Sequence, residues 1–241
     1  HIHAIRAGLT PATEVTFDGA RTITEAMARI ATAASQTPAG SWIVIPGGWT
    51  PDQFAEGRKP ARAEIRAATP NHKVYIQLYY RSVYISPSGL EELGLAEPGS
   101  NISKLLPGVE FERDGRDNPT GWINGKAPVI TQIYKRLPKA NLAARMRGTK
   151  AFFSRLNAYG VTGVIDPGGY NLAPDDYAAL FVMWRKKQLT LRVAYSICAP
   201  TPGRELEEYK RYLKFMPMRL GDDYLRFNGI GERVSWGFYN K

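Results

Sequence analysis

The 241-residue sequence contains a single cysteine, Cys198, so neither an internal disulfide framework nor an all-cysteine metal site can be built from it. Histidine is nearly as scarce, at three residues, and two of them, His1 and His3, stand one residue apart. Long apolar runs are missing: nothing reaches the roughly 18 to 20 consecutive apolar residues of a membrane span. No charged segment followed by an apolar one opens the chain as an export signal would. The Gly47-Gly48 and Gly168-Gly169 pairs lack the G-x-G-x-x-G spacing of a dinucleotide loop, no Walker-type loop occurs, and no Gly-x-Ser-x-Gly elbow is present. Nucleotide binding and serine hydrolysis lose ground accordingly. The reading is a cytoplasmic protein without a membrane partner. Because the sequence starts with His1 rather than Met, a removed export segment is the alternative.

What is present is enough apolar material, 44% of residues, for one large domain or one domain with an elaboration. A net charge of +10 attracts anions in general. The basic residues are nevertheless spread thinly. Their densest groups, Arg145 and Arg147 with Lys150 and Arg185-Lys186-Lys187, fall on or beside expected helices and read as solvated faces. No nucleic-acid partner is expected.

Four segments carry helical periodicity with start signals. Thr22 and Glu25 have capping-box spacing before Ile23, Met27 and Ile30. Asn141 can cap a helix through Leu142, Met146, Phe152, Phe153 and Leu156 that stops at Tyr159-Gly160. Pro174 precedes the stripe Tyr177, Leu180, Phe181, Trp184, and a last helix covers about 203–215 with Leu206, Tyr209 and Leu213 inward. Apolar, β-branched runs at Trp42 to Ile45, Lys73 to Tyr80, Val161 to Ile165, Leu189 to Ile197 and Tyr224 to Ile230 read as strands. From Leu142 onward helices and strands alternate, the pattern of βα units on a parallel sheet, and the leading fold class is α/β, part of a (β/α)8 barrel. The expected organisation is 1–49 as the start of the barrel domain, 50–140 as an inserted cap, and 141–241 as barrel strands about two to four. The cap region is rich in turns, at Pro98-Gly99, Pro107-Gly108, Asp114-Gly115 and Asn118-Pro119.

His1-Ile2-His3 is the sharpest chemical feature, since alternate residues of an extended segment point to one side and two imidazoles can then converge on one cation. The spacing alone equally fits a tag remnant or coincidence. Asp166 ends a barrel strand before Pro167-Gly168-Gly169, where barrel enzymes keep pocket groups; the alternative is a cap on the loop leading to Pro174. Cys198 has no acid-base partner nearby in sequence and reads as a small buried residue, and His72 as an exposed turn residue.

A succession of motifs runs through most of the chain: His-x-His, Gly47-Gly48-Trp49 with Phe54, the Tyr80 to Leu90 stretch with Gly94, Thr120-Gly121-Trp122, and Tyr159-Gly160-Val161-Thr162-Gly163-Val164-Ile165-Asp166. Together they resemble the YtcJ-like branch of amidohydrolase family 3, metal-dependent hydrolases built on a (β/α)8 barrel. The resemblance implies a small β-sandwich that this sequence does not cover, and a His-x-His that ends the first barrel strand. It also implies a bridging carboxylate from strand four, histidines from strands five and six, and a catalytic aspartate from strand eight. Those last three would lie beyond Lys241, so the chain reads as a fragment, and as such a candidate homodimer.

Strand four should fall in Leu225 to Glu232, where many relatives carry a lysine that becomes carboxylated. Here Gly231 stands at the approximate lysine position and Glu232 follows, so Glu232 is the candidate third metal ligand beside His1 and His3; the alternative is an ordinary carboxylate paired with Arg226 or Arg233. Arg81 stands about where relatives place a histidine, and would favour an anionic group on the substrate through a forked pair, unless it is simply an exposed residue of the cap. Tyr80, Trp49 and Asp166 complete the expected substrate contacts, although Trp49 and Phe54 also suit packing of the cap. The implied cofactor is one or two divalent metal ions, zinc by default, with iron or manganese also suitable. The implied reaction is hydrolysis of an amide or other C–N bond in a small molecule. The rivals are a non-catalytic binding relative and an anion or nucleic-acid binder.

Overall fold

The computed structural model describes residues 1–9, 14–95, 106–169, 172–232 and 234–235. In chain order the elements are α1 (Ala4–Gly8), α2 (Ile23–Ser35), β1 (Trp42–Ile45), α3 (Arg62–Ala68), β2 (Lys73–Leu78), β3 (Ser82–Ile85), α4 (Pro87–Glu92), β4 (Val109–Arg113), β5 (Pro119–Gly125), α5 (Ala127–Lys135), α6 (Leu142–Ala158), β6 (Gly163–Asp166), α7 (Ala178–Arg185), β7 (Arg192–Ile197), α8 (Glu205–Leu213) and β8 (Leu225–Ile230). Single 3-10 turns lie at Pro51–Gln53 and Pro174–Tyr177. The chain divides into two compact units, one of residues 14–139 and one of residues 1–13 with 140–241.

In the 14–139 unit the sheet order is β1-β2-β3-β5-β4, with β1 and β2 parallel and the remaining pairs antiparallel. The helix α2 starts where Thr22 Oγ1 accepts the Glu25 N–H at 3.1 Å, and it buries Ile23, Ala26, Met27, Ile30 and Ala34, one face at helical spacing. The Glu25 carboxylate reaches one residue past the usual capping-box partner and accepts the Arg21 N–H. An aromatic cluster fills the core: Trp49 lies 5.6 Å from Phe17, 5.7 Å from Phe54 and 6.1 Å from Trp122, centroid to centroid. Each such pair adds roughly 0.5–1.5 kcal/mol beyond its burial. The expected boundary after residue 49 is not where the contacts divide the chain. β1 belongs with this unit because its backbone is paired along its whole length to β2.

Among its described residues, the region expected to be a turn-rich insertion holds three strands and three helices that the sequence reading did not identify. Its turns are in place at Asp114, whose Oδ1 accepts the Arg116 and Asn118 N–H groups between β4 and β5. Pro98-Gly99 lies outside the described residues. His72 is half-buried rather than exposed, with Nε2 3.0 Å from the Thr37 carbonyl oxygen.

The second unit is built on the parallel sheet β6-β7-β8. Alternation along the strands sends Val193, Tyr195, Ile197, Leu225 and Phe227 to one face, where they pack with Phe153, Leu180 and Met183 of the flanking helices. The other face carries Gly163, Ile165, Arg192 and Arg226 and stays open, with Ile165 53% exposed. A closed barrel is not formed among the described residues; the parallel sheet has three strands. The helix α6 starts as expected, with Asn141 Oδ1 accepting the Ala144 N–H at 2.9 Å. α8 departs from expectation: Tyr209 is buried and its hydroxyl accepts the Ala199 N–H, whereas Leu206 (67% exposed) and Leu213 (41%) are not covered by any described element. His1 to His3 are not part of a strand either. Ile2 donates its N–H to the Ile165 carbonyl at 3.0 Å, alongside β6, and the chain turns into α1 at Ala4.

Phe227 is fully buried in β8, 5.6 Å from Tyr195. Phe227→Ala is expected to destabilise this unit by about 3–5 kcal/mol, a large part of a typical domain's stability, read as a fall in the denaturant midpoint of the purified protein.

Candidate metal centre

Three side chains meet at the C-terminal end of the parallel sheet. His1 Nε2 lies 3.1 Å from one Glu232 oxygen and His3 Nε2 lies 3.3 Å from the other. The two imidazoles stand edge to face, 5.3 Å between centroids. One ligand atom from each of the three residues falls within 4.8 Å of the others. His1 and Glu232 are exposed and His3 is half-buried.

This contact needs either a proton or a cation between each ring nitrogen and the carboxylate. A carboxylate offers only lone pairs, and so does an imidazole nitrogen that carries no proton. At these separations the ring nitrogens and the carboxylate attract only if both rings carry a proton at Nε2, or if one cation lies among them. His3 Nδ1 is buried and has no hydrogen-bond partner among the described residues. Each ring-to-carboxylate distance is near the separation of neighbouring ligand atoms around one cation, about 3.3–3.4 Å for bonds of about 2.0–2.1 Å in tetrahedral arrangement. Two imidazoles and a carboxylate form a donor set for a borderline divalent ion.

The backbone explains how Glu232 arrives there. The register of β7 and β8 shifts between Tyr195 and Ser196, and past the shift Gly231 donates its N–H to Ile197 O at 2.7 Å and Glu232 to Pro167 O at 2.8 Å. A side chain at position 231 has no room: a Cβ there would lie 2.1 Å from Pro167 O and 2.8 Å from Cys198 Sγ. A lysine cannot occupy this backbone, and the carboxylate that meets the two rings is that of the adjacent Glu232. Of the two alternative partners for Glu232, only Arg226 lies among the described residues, and it pairs with Asp223 at 3.0 Å.

The other expected site residues are placed differently. Asp166 does not open onto the pocket. Strand alternation turns it, with Val164, away from the open face, and it is 0% exposed. Its Oδ2 accepts the Ile5 N–H at 2.7 Å and its Oδ1 the Gly168 N–H at 2.8 Å. Burial pushes its carboxyl above the usual range, opposed by these N–H groups and by nearby His3. The period-2 pattern of Val161 to Asp166 held this signal. Trp49 is buried in the aromatic cluster of the 14–139 unit with its indole N–H donating to Gln77 O at 2.8 Å, so it has no surface for a substrate. Tyr80 and Arg81, in that same unit, are exposed at the turn between β2 and β3, where Tyr79 takes a left-handed φ of 50°. Cys198 is buried, as expected. On the open sheet face a cleft of about 870 Å³ is lined by His1, Ile165, Ala194, Arg192 and Arg226 among others.

The sequence model of the amidohydrolase family matches residues 1–237. Two solved crystal structures are similar in fold. One is an uncharacterized metal-dependent hydrolase from Pyrococcus horikoshii OT3, with TM-score 0.60, 20% identity, and coverage of 95% of this chain and 40% of that one. The other is an uncharacterized metal-dependent hydrolase from Pyrococcus furiosus, with TM-score 0.58, 17% identity, and coverage of 95% and 42%. The chain therefore spans less than half the length of either structure. No curated protein matches it. No described helix is long and apolar enough to cross a membrane.

Gly231→Ala should force Pro167 and the Glu232 peptide apart. The expected outcome is loss of about 1–3 kcal/mol of stability, from overpacking, together with weaker uptake of zinc by the purified protein. Wild-type stability with unchanged zinc uptake would show that the close approach at 231 is not required.

Proposed function

This chain belongs to the amidohydrolase family, and from that premise we propose that it forms part of a metal-dependent hydrolase in which His1, His3 and Glu232 hold a divalent cation. The observation that carries the reading is the convergence of two imidazole nitrogens on one carboxylate at 3.1 and 3.3 Å. A cation held there polarises a substrate carbonyl and lowers the pKa of a water molecule toward neutrality. His1 and His3 present neutral nitrogen donors, and Glu232 supplies the negative charge that a lysine carbamate supplies in many relatives. Zinc is the cation that best suits these donors, with iron or manganese also compatible.

The finer reading follows the resemblance to the YtcJ-like branch. Strands β6, β7 and β8 are proposed as consecutive strands of a (β/α)8 barrel, whose C-terminal rim carries the metal centre as barrel enzymes do. The general base, by resemblance an aspartate, is proposed to come from sequence outside these residues. The substrate is a small molecule with an amide or other C–N bond. Arg81 and Tyr80, on an exposed turn, are proposed to choose among substrates, with Arg81 favouring those that carry a carboxylate or another anion.

The test is metal content. The full-length protein, stripped with a chelator and dialysed against zinc, should retain at least about one equivalent and regain hydrolysis of simple N-acyl substrates. His3→Ala and Glu232→Ala should each lower zinc affinity by roughly 100-fold or more, beyond the range of outer-shell changes. A protein that retains none of zinc, iron or manganese would replace the hydrolase by a non-catalytic binding relative.

A further inference from the structure

Consecutive residues at the end of β6 touch both halves of the donor set. The Ile165 carbonyl accepts the N–H of Ile2, between the two histidines, at 3.0 Å. The Asp166 carboxylate accepts the N–H of Ile5, two residues beyond His3, at 2.7 Å. The Pro167 carbonyl accepts the N–H of Glu232 at 2.8 Å. The second Asp166 oxygen accepts the Gly168 N–H at 2.8 Å and so fixes the turn that aims the Pro167 carbonyl. One hydrogen bond at Ile2 would leave the His1–His3 segment free to swing about it. A second one on the far side of His3 removes that freedom.

We infer that Asp166 is the positioning residue of this centre: by tying the start of α1 to the turn at 166–168, its carboxylate sets the His1 and His3 rings against Glu232. The inference rests on the reading of His1, His3 and Glu232 as metal ligands. Asp166 touches neither substrate nor metal, being fully buried with both oxygens engaged by backbone N–H groups. An asparagine of the same shape would keep one acceptor oxygen and turn an NH2 donor toward the other N–H, so only one of the two bonds survives.

Asp176 provides a matched control. It is also a buried carboxylate of this unit, accepting the Ala173 N–H at 2.8 Å and pairing with Arg145 at 3.7 Å, so its bonds lie away from His1, His3 and Glu232. Cobalt(II) is the probe, because its visible d–d bands report ligand geometry as well as occupancy. Titrated into metal-free protein, cobalt should bind Asp166→Asn about 10- to 100-fold more weakly than wild type, the range of outer-shell effects, and with shifted d–d bands. Asp176→Asn should bind cobalt like wild type, whatever it loses in thermal stability. Wild-type cobalt affinity and bands in Asp166→Asn would overturn the inference, as would equal losses in both variants. If wild type itself binds no cobalt, the ligand reading falls and the inference with it, an outcome distinguished by that one titration. A second measurement needs no variant. In the unmodified protein the Ile5 and Gly168 amides should exchange with deuterium at least about 10-fold more slowly once zinc is bound, since the ion and the carboxylate hold the same segment. Unchanged exchange at both amides in zinc-loaded protein would equally overturn it.

Discussion

A carboxylate withdrawn from water must find its hydrogen bonds inside the protein, and at Asp166 only backbone N–H groups supply them. Much of the 1–13 and 140–241 unit follows from that need. The start of α1 has to lie over the end of β6, which puts His3 beside the sheet rim. The turn at Pro167 has to close tightly, which brings its carbonyl to Glu232. The same tightness leaves position 231 no space for a side chain. Glycine at 231, glutamate at 232 and aspartate at 166 are therefore one solution to one packing problem rather than three independent choices.

The 14–139 unit is governed by a different constraint. Two of its indole rings, those of Trp49 and Trp122, are buried, and each buried N–H has a carbonyl acceptor, Gln77 O for Trp49 and Pro60 O for Trp122. Lys59 lies over the Trp122 ring, 4.9 Å from its centroid, and pairs with Glu112. The two ends of the unit also meet: the Tyr134 hydroxyl donates to Glu14 at 3.2 Å. A segment inserted within another unit needs its ends close together, and this contact provides that closure.

Features with strong local chemistry could be read from the sequence. Thr22 and Asn141 each accept an N–H three residues on, as their types and spacing imply. The strands of the parallel sheet, flanked by helices, were legible from apolar runs, with ends that differ by at most three residues. His1, His3 and Glu232 were legible only through family resemblance, because nothing local links a glutamate to histidines so far away in the chain. The strands β3, β4 and β5 were missed because β3 and β4 have only four and five residues, while β5, seven residues long, is interrupted by Pro119, Gly121 and Gly125 and buries Gly121, Trp122 and Ile123 in succession instead of alternating. Asp166 does end a strand of the parallel sheet, as its position before Pro167-Gly168-Gly169 implies, but its parity with Val164 turns it toward the helices instead of into a pocket. Leu206 and Leu213 obeyed helical spacing without being buried, since periodicity says which face is apolar and not whether anything covers it.

The distance along the chain between His3 and Glu232 has a kinetic meaning. Two donors that sit one residue apart, as His1 and His3 do, are neighbours in any conformation, but the third joins them only after β6, β7 and β8 are paired in order. Such long-range closure comes late in folding. An ion at this centre cannot guide the chain toward its fold. It can act afterwards, as a clamp whose contacts are absent from the folding transition state, and contacts of that kind slow unfolding while leaving the folding rate almost untouched.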